Sequence, residues 1–236
     1  MHPFQAVIFD MDGTLLDSNR AWEQINREYL SRHGISLSDE ELQKFAAMTF
    51  EEVAHHFIQI LHIPTTIEEL IHDCNEMIIE QYRCNIPLKP HAAEYLRLLQ
   101  ENGIKIALAT ASSVRLYTAA LQNHGIYDIF NAFTTTEEAG RDKSFPDIYL
   151  LAAEKLEVSP KDCVVFEDIL SGILSAKKAG MQAVGVYDFY SRHRRTEIQA
   201  AADAYITDFS EMIVRLSPSL TPQSSRTGND THEASN

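Results

Sequence analysis

The residues with the most chemical content fall in four short stretches. Asp10-Met11-Asp12-Gly13-Thr14 puts two carboxylates two positions apart, ahead of a glycine that lets the chain turn sharply. Thr110 and Ser112 offer hydroxyls, Lys143 an ammonium just before Pro146-Asp147, and Glu167-Asp168 two further carboxylates. Four carboxylates drawn into one crevice repel each other and raise each other's pKa values. A hard divalent cation resolves that repulsion, and a partly hydrated Mg2+ held by a few carboxylates is the usual solution. A cation beside Thr110 and Lys143 makes a site for a phosphoryl group, because metal, ammonium and hydroxyl each compensate its charge. One carboxylate can then attack phosphorus to give an acyl phosphate. The second Asp, two residues on and pointing the same way, can protonate the leaving oxygen and then activate water.

Such convergence needs a scaffold. Ala6-Val7-Ile8-Phe9 is a short apolar run suited to a strand buried on both faces, and it stops at Asp10. The runs 104–109 and 164–166 have the same character and end at Thr110 and Glu167. Further strands are predicted near 132–135, 183–186 and 204–206. Helices are predicted over 91–101, 113–124 and 147–156, with another ending at Gly180. Strands that are apolar throughout and alternate with helices indicate an α/β protein with a doubly wound, Rossmann-like parallel sheet. In such sheets ligands bind beyond the carboxyl ends of the strands, which is where all four stretches fall.

Between the first strand and Pro87-Leu88-Lys89-Pro90 the pattern is helical. Trp22, Ile25, Tyr29 and Leu30 share one helical face that stops at Gly34. Ser38 with Glu41, Thr49 with Glu52 and Thr66 with Glu69 each have the spacing of a capping box. Residues 17–88 therefore read as an inserted four-helix cap domain, and 1–16 with 89–216 as the α/β core. Residues 217–236, rich in Ser, Thr, Asn and Pro, read as a disordered tail.

The four stretches together resemble the haloacid dehalogenase superfamily. Within it they are most similar to the phosphoglycolate-phosphatase-like and beta-phosphoglucomutase-like members with a helical cap after the first motif. Asp10-Met11-Asp12-Gly13-Thr14-Leu15 matches the nucleophile motif and Ala107-Leu108-Ala109-Thr110-Ala111-Ser112 the hydroxyl motif. Lys143-Ser144-Phe145-Pro146-Asp147 matches the lysine motif, and Phe166-Glu167-Asp168 through Ala179-Gly180-Met181 the acidic motif. The likeness runs from about residue 4 to residue 209. It implies Asp10 as nucleophile and Asp12 as acid/base, with Thr110, Ala111 and Lys143 holding the phosphate. It implies Mg2+ bound by Asp10, the Asp12 backbone carbonyl and Asp168, with Glu167 either a further ligand or a group that stabilises the loop. Taken singly, Asp10 and Asp12 read equally well as a turn pair, Thr110 as a helix cap and Lys143 as a solvated loop lysine. Their order and spacing together set those readings aside.

The function expected is therefore a Mg2+-dependent phosphatase acting on small phosphorylated metabolites such as sugar phosphates. The alternative within the family is a hexose phosphomutase of the beta-phosphoglucomutase type. Such mutases carry a cap-loop arginine for a distal phosphate, whereas the comparable stretch here, residues 45–51, has none, and Ser113-Val114 is less polar than the mutase pair. A phospho-acceptor receiver domain fits poorly, because such domains are about half this length and place the acceptor on a middle strand. Dehalogenase chemistry leaves Asp12 without a leaving alkoxide to protonate.

Composition narrows the rest. The chain has 236 residues, 20 basic against 34 acidic, for a formal charge of −14. That excess repels nucleic acid and anionic membrane surfaces, and no apolar run approaches the roughly 18 residues of a membrane span. No signal peptide is legible, and the three scattered cysteines form neither a disulfide framework nor a zinc motif. The expectation is a cytoplasmic protein, monomeric or weakly dimeric. His55, His56, His62 and His72, expected on cap helices, lack metal-ligand spacing and read as surface or core residues. Trp22 and the Tyr and Phe residues read as core.

Overall fold

The computed structural model describes residues 3–38, 41, 42, 45 and 50–216. The expected disorder of 217–236, the Thr49–Glu52 capping box and most of the 45–51 loop fall outside them. Six strands form one all-parallel sheet: β1 (Ala6–Phe9), β2 (Lys105–Thr110), β3 (Ala132–Thr135), β4 (Cys163–Glu167), β5 (Gln182–Val186) and β6 (Ala204–Ile206). Their order is β3-β2-β1-β4-β5-β6, the doubly wound Rossmann-like arrangement expected from the sequence. The order reverses at β1, whose neighbours are β2 and β4. Phe9 pairs with Leu108 on one side and Phe166 on the other, so all three strands run out at one level.

The helices are α1 (Asn19–Arg32), α2 (Phe50–His55), α3 (Ile67–Cys84), α4 (Ala92–Glu101), α5 (Val114–Asn123), α6 (Thr136–Ala139), α7 (Asp147–Leu156), α8 (Leu170–Lys178), α9 (Arg195–Ala201) and α10 (Ser210–Leu216). Residues 41, 42 and 45 are also helical. The two describable capping boxes form. The Thr66 hydroxyl accepts from Glu69 N at 3.1 Å while Glu69 accepts from Thr66 N at 3.0 Å. Ser38 and Glu41 make the same reciprocal pair. The histidine expectation needs one correction: His55, His56 and His72 are helical, His56 opening a π-helical stretch that ends at Ile60, but His62 lies beyond it at φ 54°. A left-handed backbone at His62 ends the helix there rather than continuing it.

Side chains alternate across the sheet and build two cores. Val7, Phe9, Leu108, Val164 and Phe166 face one way, with Tyr95 and Leu99 of α4 and with Phe209. Phe9 stacks on Phe166 at 4.9 Å between ring centroids. The small residues Ala6, Ala107 and Ala109 face the other way, where α7 and α8 pack through Ile148, Tyr149, Ala152 and Ile173. The aromatic core continues without a break into Ile25 and Tyr29 of α1, Phe57 of the π-helical stretch after α2, and Leu70, Ile78 and Tyr82 of α3. Two linkers join those helices to the sheet and lie side by side. Leu16 bridges Leu88 in antiparallel fashion, Asp17 N donates to Pro87 O at 3.0 Å, and Lys89 N donates to Leu15 O at 2.8 Å.

Candidate active site

The register of β1 against its neighbours assembles the site. Asp10 follows directly on Phe9, and its backbone N–H donates to Phe166 O at 3.0 Å, which sets it beside Glu167. Ligand oxygens of Asp10, Glu167 and Asp168, all buried, lie within 4.8 Å of one another. Lys143 Nζ reaches this group from the loop before α7. It is ion-paired to Asp10 Oδ1 and to Glu167 Oε1, the latter at 2.7 Å. Three buried carboxylates against one ammonium leave the cluster anionic. Burial, more than any neighbour, pushes the Asp10 carboxyl up to about 7; Lys143 opposes that rise, and Glu167 and Asp12 add to it. Burial likewise holds Asp168 well above the carboxylate range, reinforced by Glu167, Asp10 and Asp188. Burial pulls Lys143 down, but the charges of Asp10 and Glu167 outweigh it and hold the ammonium above its usual range.

Hard oxygen donors with uncompensated charge suit a small divalent cation. Asp10 and Asp168 are the members best placed to hold one. Glu167 is fully buried and already committed: besides Lys143 it accepts from Tyr149 Oη at 2.9 Å and Ile169 N at 3.1 Å. Gly172 makes room for it, since a Cβ there would sit 2.5 Å from its Oε1. Gly13 does the same for Asp168. It takes φ +85°, and a Cβ would collide with the Asp168 carboxylate and lie 2.8 Å from Asn19 Nδ2. Thr14 Oγ1 donates to Asp168 Oδ1 at 3.2 Å.

Asp12 does not share this arrangement. Of the four carboxylates expected in one crevice, three form this close cluster, and Asp12 borders the same cavity beside them. The Asp12 carboxylate turns instead to three hydroxyls, those of Ser18 at 2.7 Å, Ser112 at 2.7 Å and Tyr82 of α3. Three donors outside the cluster, against repulsion from three carboxylates within it, account for that orientation. Thr110 is fully buried at the end of β2, where its hydroxyl accepts from Ser112 N at 3.0 Å. Ala111, next in the chain, faces open space.

That space is a cavity of about 610 Å³. Of the residues singled out in the sequence, Asp10, Asp12, Ala111, Lys143 and Asp168 line it, whereas Thr110 and Glu167 are fully buried and do not. Asn19, Ile169, Leu174, Tyr190, Ser191, His193 and Arg194 line the rest and were not anticipated. Ile169 and Leu174 fall inside the acidic-motif stretch but carry no charge or hydroxyl to single them out, and Asn19 and 190–194 lie outside every motif. Tyr149 and Tyr82 also escaped notice, having been counted among core aromatics.

Buried carboxylates and a lysine at the ends of β1 and β4, on this sheet order, agree with a family model for haloacid dehalogenase-like hydrolases that matches residues 4–180. The chain belongs to that family. Among relatives of this hydrolase, the probable pseudouridine-5'-phosphatase of Drosophila melanogaster is 32% identical over 212 residues, 86% of this chain and 90% of that protein. Hexitol phosphatase B of Escherichia coli K12 is 29% identical over 184 residues, 77% of this chain and 82% of that one. The bifunctional riboflavin kinase/FMN phosphatase of Arabidopsis thaliana is 28% identical, and the chain spans only 54% of its length. Of the solved structures, CbbY from Rhodobacter sphaeroides in complex with phosphate superposes with a TM-score of 0.75 at 27% identity, covering 89% of this hydrolase and 96% of CbbY.

Proposed function

We propose that this hydrolase is a Mg2+-dependent phosphatase of small phosphorylated metabolites, with Asp10 as nucleophile. The observation that carries the reading is Lys143 bridging Asp10 and Glu167 beside Asp168, at the closed end of a cavity large enough for a metabolite. Relatives named as phosphatases of pseudouridine 5'-phosphate and of hexitol phosphates support the substrate class.

Asp10, Asp168 and the Asp12 backbone carbonyl would hold the metal. A Mg2+ ion held there would supply positive charge to offset that of a phosphoryl group. Lys143 lies close enough to Asp10 to contact a phosphoryl oxygen as the carboxylate attacks phosphorus, and Glu167 keeps its ammonium in place. The Asp10 carboxylate forms the P–O bond while the ester oxygen leaves, giving an aspartyl phosphate. Asp12 donates the proton to that oxygen and takes one from the water that later hydrolyses the acyl phosphate. To do so its carboxylate must turn from Tyr82 towards the cavity it already borders. Ala111 contributes the rim of the phosphate site, and Thr110, buried behind it, a hydroxyl for a phosphoryl oxygen.

Residues 17–88 act as a cap hinged at the paired linkers, closing over the ester and making contacts to the leaving group. The enzyme works in the cytoplasm as a monomer or weak dimer, without nucleic acid or membrane as partner. Among the described residues, no helix is long and apolar enough to cross a membrane. The test is phosphate release from a panel of metabolite monophosphates with Mg2+, wild type against Asp10→Asn. Turnover by a verified D10N protein excludes the covalent mechanism.

A further inference from the structure

Among the described residues, one buried carboxylate lies outside the Asp10–Glu167–Asp168 cluster. Asp188, just past β5, is 1% exposed. A buried charge is costly unless it is paired and hydrogen-bonded, so its partners show what it holds. Asp188 Oδ1 accepts from Asn19 Nδ2 at 3.0 Å and from Tyr190 N at 2.9 Å, and Oδ2 accepts from Lys89 Nζ at 2.7 Å. Those partners come from three places. Asn19 opens α1, Lys89 sits on the linker returning from α3, and Tyr190 lies in the loop after β5. Lys89 also reaches Asp17 of the outgoing linker at 3.8 Å, and the Tyr190 hydroxyl donates to Glu23 of α1 at 2.7 Å.

Two of the three partners line the substrate cavity. Asn19 stands next to Asp168, since both would crowd the same Cβ on Gly13. A carboxylate only accepts, so the Asn19 atom facing Asp188 must be its amide nitrogen.

We propose that Asp188 is a positioning residue: by accepting from Asn19, Tyr190 and Lys89 together, it fixes the cavity wall beside Asp168 to the junction of the inserted helices. The proposal rests on the phosphatase reading for its substrate. Asp188 touches no reacting atom, and its influence on the ester passes through Asn19 and Tyr190. Loss of its charge frees the Asn19 amide to rotate and releases the backbone N–H that shapes the Tyr190 loop. The consequence falls on binding of the whole ester, and so on KM, more than on the chemical step.

The test is a double-mutant cycle of Asp188→Asn and Asn19→Ala, with p-nitrophenyl phosphate and saturating Mg2+, each variant checked for its melting transition. D188N and N19A should each raise KM about tenfold and keep kcat within about threefold. The double variant should be no worse than the poorer single, because both act along one path. KM unchanged in both singles, or effects that multiply in the double variant, overturns the proposal. If D188N does not fold, N19A decides alone, and an unchanged KM there is the overturning result. A wild type that releases phosphate from no ester in the metabolite panel fails the phosphatase reading. The positioning claim is then read from orthophosphate binding, followed by the rise in melting temperature with Mg2+ present. Binding about tenfold weaker in N19A supports it, and equal binding overturns it.

Discussion

The Tyr82 hydroxyl, from α3 of the inserted segment, donates to the Asp12 carboxylate at the end of the central strand. Burial raises the Tyr82 pKa well above its usual value, and the neighbouring Asp12 charge raises it further, so the phenol stays a donor at any working pH. The contact holds Asp12 among hydroxyls and away from the Asp10 cluster. Tyr82→Phe should therefore cost about 1 kcal/mol of stability, the worth of one hydrogen bond, and should not lower kcat. Asp12→Asn should lose turnover outright. Urea unfolding with steady-state kinetics checks both, and a tenfold fall in kcat for Y82F would mean that Tyr82 assists the chemistry.

Lys143 is the single cation among three buried carboxylates. Lys143→Met leaves Asp10 and Glu167 without their shared partner, at a cost of about 3–5 kcal/mol, and removes the group proposed to hold the phosphate. Gly172→Ala approaches the same failure from the other side. Its methyl would push Glu167 off Lys143 without touching the cavity wall. Both variants should raise KM and lower kcat, G172A less than K143M. Normal kinetics in G172A would show that Glu167 does not set the lysine.

The strand–helix alternation was legible because its signals are local. Apolar runs marked the strands to within a residue or two, and the helix ending at Gly125 stops there at φ 62°. The site residues fixed to strand ends were legible for the same reason, since register carries Asp10 to Glu167 and Asp168 however the rest of the chain folds. The partners that hold the Asp12 carboxylate were not legible, because its orientation depends on Tyr82, seventy residues away on another element. Nothing in the local pattern announces that hydroxyl. The cavity wall at 190–194 and the Asp188 node were missed likewise, being contacts between segments that each read as ordinary connections.

Gly13 is where the backbone presses most closely on the carboxylates proposed to hold the metal. Gly13→Ala asks an L-residue to hold φ +85° and drives a methyl into the Asp168 carboxylate. Stability should fall by about 1–3 kcal/mol, and Mg2+ affinity by about 10- to 100-fold as Asp168 is displaced. In the wild type, Mg2+ should raise the melting temperature by relieving the mutual repulsion of Asp10 and Asp168, and EDTA should reverse it. Asp168→Asn should abolish that rise. Calorimetry with and without metal decides; a Mg2+-induced shift retained in D168N would remove Asp168 from the ligand set.

The last prediction separates hydrolysis from isomerisation. A phosphomutase must retain a bisphosphorylated intermediate while it reorients, which calls for a cation fixed at a second phosphate site. Residues 45–51 contain no arginine. Of the described residues lining the outer cavity, Arg194 is the guanidinium, and it is already forked onto Glu197 at 2.5 and 2.6 Å. That pair is exposed, so it is a weak hold, yet a ligand phosphate would have to displace it before using the arginine. With no unengaged guanidinium among those residues, a second phosphate would gain little, and water should reach the proposed aspartyl phosphate before a reoriented intermediate can. Beta-glucose 1-phosphate, given with Mg2+ and its bisphosphate primer, should yield free phosphate and little or no 6-phosphate. ³¹P NMR resolves both products in one experiment. Primed isomerisation faster than phosphate release would reverse the assignment, and Arg194→Ala would then be the variant that shows whether the outer cavity holds the second phosphate.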